Sequence, residues 1–115
     1  MAESAPRVDP WTVHLRDVVV NGIHSSLLAR REQDGTVCFE AQSLGVPTGL
    51  VSNDTEYEYF RTVRARHVPQ LIELLGGRPG DDLRQLLADA WVDDRSFELE
   101  ERFREAAFPI EFFSC

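Results

Sequence analysis

Acidic and aromatic residues alternate in the stretch DTEYEYF, residues 54–60. Glu56 and Glu58 are two positions apart, so on a strand their carboxylates would point to the same face, roughly 7 Å from each other. Two carboxylates at that spacing could act as acid and base around a water molecule. Such a pair needs an enclosed site that raises one pKa, and a polar strand face does not supply it. The stretch therefore favours a strand over a catalytic centre.

Histidines offer a second route to chemistry. His14 and His24 fall on predicted strands, where they would share the outer face of a sheet with Cys38 and Glu40. Side chains of these types can bind a metal or transfer protons. No metal-ligand spacing links them, so a solvated sheet face is the simpler interpretation. A small enzyme or ligand-binding domain that uses His14, His24 and Glu40 is the alternative.

A second enzymatic arrangement would use His67 as a base beside Glu56 and Glu58. His67 lies just before Pro69, however, which is typical of a residue at a helix entry. The chain contains no GxSxG, HExxH, GxGxxG or paired CxxC motif. We therefore expect a non-enzymatic protein with no catalytic residues, no metal and no cofactor.

The charge of the chain indicates the kind of partner. Its 115 residues are enough for one compact domain and carry a net charge of -8. That charge opposes binding to nucleic acid or to an anionic membrane, and it attracts a basic protein. All twelve basic residues are arginine, which excludes lysine Schiff-base chemistry and a P-loop lysine.

The two cysteines and the N-terminus indicate the compartment. Cys38 and Cys115 have no zinc or CxxC spacing, so free thiols in a cytoplasmic protein are the simpler interpretation, with a disulfide left open. The N-terminal MAESAPRV lacks the apolar segment of a signal peptide and is predicted to be a disordered tail, residues 1–8. No apolar run reaches the roughly 20 residues that span a bilayer. We expect a single domain, residues 9–115, in the cytoplasm.

The first half of the chain has the period of β-strands. Apolar and polar residues alternate in WTVHL, which predicts a strand with Leu15 on the core face. The strand continues to Asn21-Gly22, a strong hairpin turn. A two-residue turn there would place His14 rather than Leu15 inward. We therefore expect a bulge near Asp17, or else a different turn.

Three further strands are predicted before the helices. IHSSLLARR and TVCFEAQ are joined by Gln33-Asp34-Gly35, and a three-residue loop with its glycine left-handed would pair Ala29 with Phe39. The segment SLGVPTGLVSND that follows contains two glycines and a proline and is predicted to be a loop. EYEYFRTV is the fourth strand, with Tyr57 and Tyr59 facing the core.

The second half predicts three helices. They are HVPQLIELLGG with Pro69 in its first turn, GDDLRQLLADAW with Asp81 and Asp82 at its positive end, and DDRSFELEERFREAA capped by Asp94 or Ser96. The final PIEFFS predicts a closing strand. This order predicts an α+β domain, in which a mainly antiparallel sheet of four to five strands carries about three helices on one face.

Acidic residues are concentrated in the predicted helices. Residues 81–105 hold nine acids and four arginines, a net of -5. Pairs within the third helix, Glu98–Arg102 and Glu100–Arg104, would account for part of this charge. The rest fits docking onto a basic protein, where carboxylates steer the encounter and aromatic rings anchor it. The predicted partner-binding residues are Asp54, Glu56, Glu58, Phe60, Asp93, Asp94, Glu100 and Glu101.

The lysine-free, acidic chain with DTEYEYF, PGDDLRQLLADAW and PIEFFS resembles small uncharacterised proteins of actinobacteria. More loosely, it resembles immunity proteins of bacterial polymorphic-toxin systems. The resemblance covers most of the second half and includes no catalytic motif. It implies a cytoplasmic inhibitor whose acidic surface blocks the basic active site of a toxin, often a nuclease. A structural domain that forms a homodimer through its uncovered sheet face or an edge strand is a third hypothesis.

Overall fold

The predicted α+β fold is confirmed in a computed structural model that describes residues 8–45 and 56–114. Within those residues the strands are Trp11–Val20 (β1), Ile23–Arg31 (β2), Val37–Gly45 (β3), Glu56–Val63 (β4) and Glu111–Ser114 (β5). A 3₁₀ turn, Ala65–His67, leads into the helices Val68–Leu74 (α1), Leu83–Ala90 (α2) and Arg95–Arg104 (α3). The described helices include none that is long and apolar enough to cross a membrane.

The strands form one antiparallel sheet in the order β1-β2-β3-β4-β5. Successive strands are therefore neighbours, and only the link from β4 to β5 passes through the described helices. Hairpin connections of this kind use local contacts, which sequence patterns predict well. The sheet has β1 at one edge and β5 at the other.

The β1–β2 hairpin contains both the predicted turn and a bulge. Asn21 and Gly22 have φ angles of 53° and 77°, as a type I′ turn requires. The register shifts between His14 and Arg16, so Leu15 is the extra residue of a β-bulge. The bulge therefore lies two positions before the predicted Asp17. It buries both Leu15 and Arg16 on the helix side of the sheet.

The β2–β3 hairpin has the predicted three-residue loop and the predicted pairing of Ala29 with Phe39. Glu32 N–H donates to the Thr36 carbonyl at 2.8 Å, and Gly35 has a φ of 91°. β3 continues through residues 43–45, which the sequence assigned to a loop, because β2 pairs with all three and β4 pairs with 43 and 44. The remainder of that predicted loop, 46–54, lies outside the described residues.

The helices cover one face of the sheet. Phe39 on β3 meets Phe103 on α3 with ring centroids 4.7 Å apart, and Trp91 donates from Nε1 to the Leu75 carbonyl at 3.2 Å. Each large apolar side chain buried here contributes roughly 1.5–3 kcal/mol. The core includes Leu15, Leu27, Ala29, Val37, Phe39, Ala41, Val63, Leu71, Leu87, Trp91, Leu99 and Phe103.

The helix starts follow the predicted signals fully in two of three cases. Pro69 lies in the first turn of α1, and Asp82 caps α2 by accepting the Gln85 N–H at 3.3 Å. For α3 the predicted N-cap position of Asp94 is confirmed, but its side chain makes no capping hydrogen bond. Ser96 donates instead to the Asp93 carbonyl at 2.5 Å.

Candidate functional site

A charge cluster joins α3 to β1 and β4. Glu100 on α3 accepts hydrogen bonds from Arg16 Nη2 at 2.8 Å, from Arg61 Nη1 at 3.1 Å and from the Tyr59 hydroxyl. The side chains of Arg16, Glu100 and Arg61 are only 3%, 12% and 13% exposed. Two guanidinium groups on one carboxylate offset the cost of taking these charges out of water. Glu100, a predicted partner-binding residue, therefore serves contacts inside the fold.

Arg16 extends the cluster along α3. Its Nη1 donates to Ser96 Oγ at 3.2 Å, and its guanidinium lies 4.1 Å from the centroid of the Phe97 ring. Arg16 Nε is buried without a hydrogen-bond partner among the described residues. The position of Arg16 follows from the bulge at Leu15. Simple alternation along β1 would place Arg16 with the polar residues, and the bulge turns it towards the helices.

Arg61 is surrounded by aromatic rings. Its guanidinium lies 5.2 Å, 5.4 Å and 5.1 Å from the ring centroids of Tyr59, Phe103 and Phe112, distances at which cation–π attraction operates. Burial is the main cause that raises the pKa of Tyr59, and the hydrogen bond to Glu100 raises it further. The phenol therefore keeps its proton and donates a hydrogen bond to the carboxylate.

A cleft of about 460 Å³ opens above this cluster. Phe97 on α3 and Phe112 on β5 line it, and their side chains are 46% and 54% exposed. Glu101 and Arg104 are exposed side chains of the same lining. The cleft thus combines aromatic rings and arginine, residue types enriched at protein-binding interfaces, with carboxylates.

Exposed carboxylates lie on α3 and at its two ends. Asp94, Phe97 and Glu101 follow helical spacing on one side of α3, and Glu105 is one turn beyond Glu101. We call Asp93, Asp94, Glu101 and Glu105 the α3 acidic face. These four side chains are exposed and form no ion pair within the described part of the chain.

The predicted pairs within α3 are wrong. Glu98 pairs with Arg95 at 3.2 Å rather than with Arg102, whose guanidinium lies 5.9 Å from the Trp91 ring centroid. Glu100 turns inward and leaves Arg104 exposed. Arg102 thus lies against Trp91, while Arg104 stays exposed beside Glu101 and forms no ion pair among the described residues.

The predicted partner-binding residues lie on two faces of the sheet. Tyr59 points towards the helices, so Glu58 and Phe60 point away from them. Glu58 accepts from Gln42 Nε2 at 3.4 Å. Asp93, Asp94, Glu100 and Glu101 belong to the helix side. Asp54 lies outside the described residues, and Glu56 is described only as a backbone position in β4.

The predicted histidine face is present on the side of the sheet away from the helices. His14, His24, Cys38 and Glu40 all alternate away from the core, and a shallow recess of about 210 Å³ includes His14, His24 and Glu40. His24 hydrogen-bonds to the Asp17 carboxylate, Glu40 pairs with Arg30, and Cys38 is a buried free thiol. Groups of three or more metal-binding side chains are absent from the described residues.

His67 does not approach the β4 carboxylate that the structure describes. Its Nδ1 donates to Gln70 Oε1 at 2.7 Å, and its ring stacks on Phe108 with centroids 6.1 Å apart. His67 therefore acts locally at the start of α1, as expected of a residue at a helix entry.

Arg61 and Phe97 could have been found from the sequence, and Arg16 could not. Arg61 shares the inward period of Tyr59 on β4, and an arginine on a core face requires a carboxylate partner. Phe97 precedes three acids on α3 and lies outside the apolar stripe of Leu99 and Phe103, which signals an exposed ring. Arg16 gives no such signal, because only the bulge turns it inward.

Comparison of the chain with protein-family models, with curated proteins and with solved structures finds no match. The function is therefore inferred from the geometry of the site and the charge of the chain.

Proposed function

We propose that this protein is a non-catalytic cytoplasmic binding module that docks onto a basic protein through the α3 acidic face. The particular role we favour is that of an immunity-type inhibitor of a toxin domain such as a nuclease. The observation that carries the proposal is an exposed aromatic ring, Phe97, among carboxylates with no ion-pair partner in the described chain. Carboxylates of this kind steer a basic partner, and the ring anchors it.

Phe97 is held in place before a partner arrives. Arg16 lies behind its ring at 4.1 Å, and Glu100 and Ser96 in turn hold Arg16. An anchor that is already fixed loses little conformational entropy on binding, which favours affinity. The buried charge cluster therefore supports the proposed surface although its own carboxylate does not face the partner.

The charge of the whole chain supports the same class of partner. A net charge of -8 accelerates encounter with a basic surface and repels nucleic acid. An enzyme that binds nucleic acid needs a basic active site, because it must attract phosphates. An acidic surface with an aromatic anchor complements such a site, which is what an immunity-type inhibitor requires.

Affinity capture from an extract of the native host tests the proposal. The immobilised protein should retain a basic protein at low salt, and Glu101→Arg with Glu105→Arg should reduce the captured amount at least about tenfold, since each reversal turns an attraction into a repulsion. The matched control is Glu73→Arg on α1, an exposed carboxylate away from α3. Quantitative mass spectrometry measures the captured protein.

The folding of each variant and the inhibition of the purified partner are measured together with capture. Circular dichroism should show that all variants are folded, and the purified partner should lose its activity when the wild-type protein is added. Equal capture by wild type and the α3 variant would contradict the assignment of this surface. Capture of an acidic partner only would contradict the charge argument itself.

A further inference from the structure

The two edges of the sheet differ in how they are protected. β1 has the bulge at Leu15, and the Leu15 carbonyl accepts the Asp93 N–H at 2.7 Å, so the turn before α3 covers part of that edge. β5 pairs with β4 in continuous register, and no described strand lies along its other side. Every second residue of an edge strand directs its N–H and C=O away from the sheet. An edge of this kind is a template for another strand.

Aromatic rings flank this edge on both faces. Phe112 and Phe113 are 54% and 64% exposed. Phe112 stacks on Tyr59 on the helix side, with centroids 5.7 Å apart, and Phe113 lies beside Phe60 on the opposite side, with centroids 6.2 Å apart. A strand added to β5 would place alternate side chains against these two aromatic pairs.

The charges beside the edge bear on which strand could be added. Glu58 lies two positions before Phe60 on the outer face, Glu111 begins β5 in a pair with Arg64, and Glu101 lines the cleft next to Phe112 together with Arg104. Carboxylates therefore lie near both faces. A second copy of this chain would bring Glu111 and a net charge of -8, so it would be repelled, whereas a basic strand would be attracted.

We propose that the free edge of β5 binds an extended segment of the partner in which basic residues alternate with apolar ones. The segment adds to the sheet as a sixth strand next to β5. This inference rests on the proposed function, because it assigns part of the basic partner to a second surface. It also explains why predicted binding residues occur on both faces, since side chains of an edge strand reach both.

A short synthetic peptide in which arginine and valine alternate, blocked at both ends, tests the inference on the full chain. Its addition to ¹⁵N-labelled protein should shift the amide signals of Glu111–Ser114 and slow their hydrogen exchange. The same peptide with glutamate for arginine should bind at least about tenfold more weakly. Glu58→Arg should weaken the arginine peptide about threefold to tenfold, and Glu73→Arg should leave it unchanged.

Two results would overturn the inference. The first is binding of the arginine peptide elsewhere, or no binding at all. If capture then still depends on the α3 acidic face, the proposed function stands without a role for β5. The second is protection of the β5 amides without peptide, together with a dimer in sedimentation near neutral pH, because a second copy would then occupy the edge. Loss of capture by the α3 variant bears only on the proposed function.

Discussion

Glu100 is the carboxylate on which two buried guanidinium groups depend. Replacing it with alanine leaves Arg16 and Arg61 without their ion-pair partner while both stay buried. Removing one member of a buried pair typically costs about 3–5 kcal/mol, so Glu100→Ala should lower the free energy of unfolding by about that amount. Urea denaturation measures the change.

The neighbouring Glu101 provides the control for Glu100. It is exposed and forms no ion pair among the described residues, so Glu101→Ala should change the free energy of unfolding by less than about 0.5 kcal/mol. A similar loss for both variants would show that Glu100 does not have the structural role we assign to it. A selective loss would separate the two adjacent carboxylates, one for the fold and one for the partner.

Tyr59 should make the free energy of unfolding depend on pH in the alkaline range. Burial and the bond to Glu100 raise its pKa above the ordinary value of 10.0. The protonated phenol therefore contributes stability that is complete below about pH 10 and is lost as the pH rises towards the pKa of the folded state, because the unfolded chain releases its proton first. Tyr59→Phe should abolish this part of the loss. Urea denaturation at about pH 9, 10 and 11 measures it, and an equal decline in both proteins would contradict the assignment.

The residues of the charge cluster show where sequence reasoning stops. The period of β4 places Arg61 on the inward face, so the need for a buried carboxylate could be predicted. The identity of that carboxylate could not. Arg16 and Glu100 are 84 positions apart, and only the packing of α3 against the bulged strand brings them together.

Local chemistry determined the hairpins, and neighbouring strands determined their details. Asn21-Gly22 favours a type I′ turn from its own backbone preferences, which is why the turn was predictable. The alternation of inward and outward residues then required one bulge in β1, which we expected near Asp17. The structure places the bulge at Leu15. Leu15 is buried in the core, and Arg16 is buried against α3. The extension of β3 over residues 43–45 depends on partners in β2 and β4, so it could not be predicted from the local sequence.

The two hairpin glycines should differ in how they tolerate a side chain. Both have positive φ, 77° at Gly22 and 91° at Gly35, so alanine costs roughly 1–2 kcal/mol at either position. At Gly35 a new Cβ would also lie 2.9 Å from Ala65 Cβ, whereas at Gly22 it meets nothing within 4 Å. Gly35→Ala should therefore destabilise the fold by at least about 1 kcal/mol more than Gly22→Ala. Urea denaturation compares them, and equal losses would contradict the predicted contact.

In the whole molecule, acidic residues are divided between the two faces of the sheet. Sequence reasoning found the excess of negative charge and most of the exposed carboxylates, because composition and helical spacing are visible in one dimension. It assigned both Glu58 and Glu101 to partner binding without their relative positions, and β4 and α3 present them on opposite sides of the sheet. A strand added at the proposed β5 site would contact both sides, and the edge position of β5 follows only from the strand order.

Net charge should also decide whether copies of the protein associate. At neutral pH the charge of -8 keeps molecules apart, and near the pI of about 4.8 this repulsion disappears. Sedimentation velocity should therefore show a monomer at about pH 7.5 and association at about pH 4.8. Phe112→Ser with Phe113→Ser should reduce the association, since these rings flank the free edge of β5.

The tip of the β1–β2 hairpin provides the control for this last prediction. Val19 and Ile23 are 62% and 48% exposed, so their replacement by serine removes a comparable apolar surface and leaves β5 intact. Association at about pH 4.8 should persist in that variant, because scattered apolar side chains without an open strand edge bind weakly. If both double variants lose association equally, general hydrophobic exposure is responsible. If only the β5 variant loses association, the β5 edge is the surface through which copies associate. The negative charge at neutral pH would then favour a basic partner over a second copy at this edge.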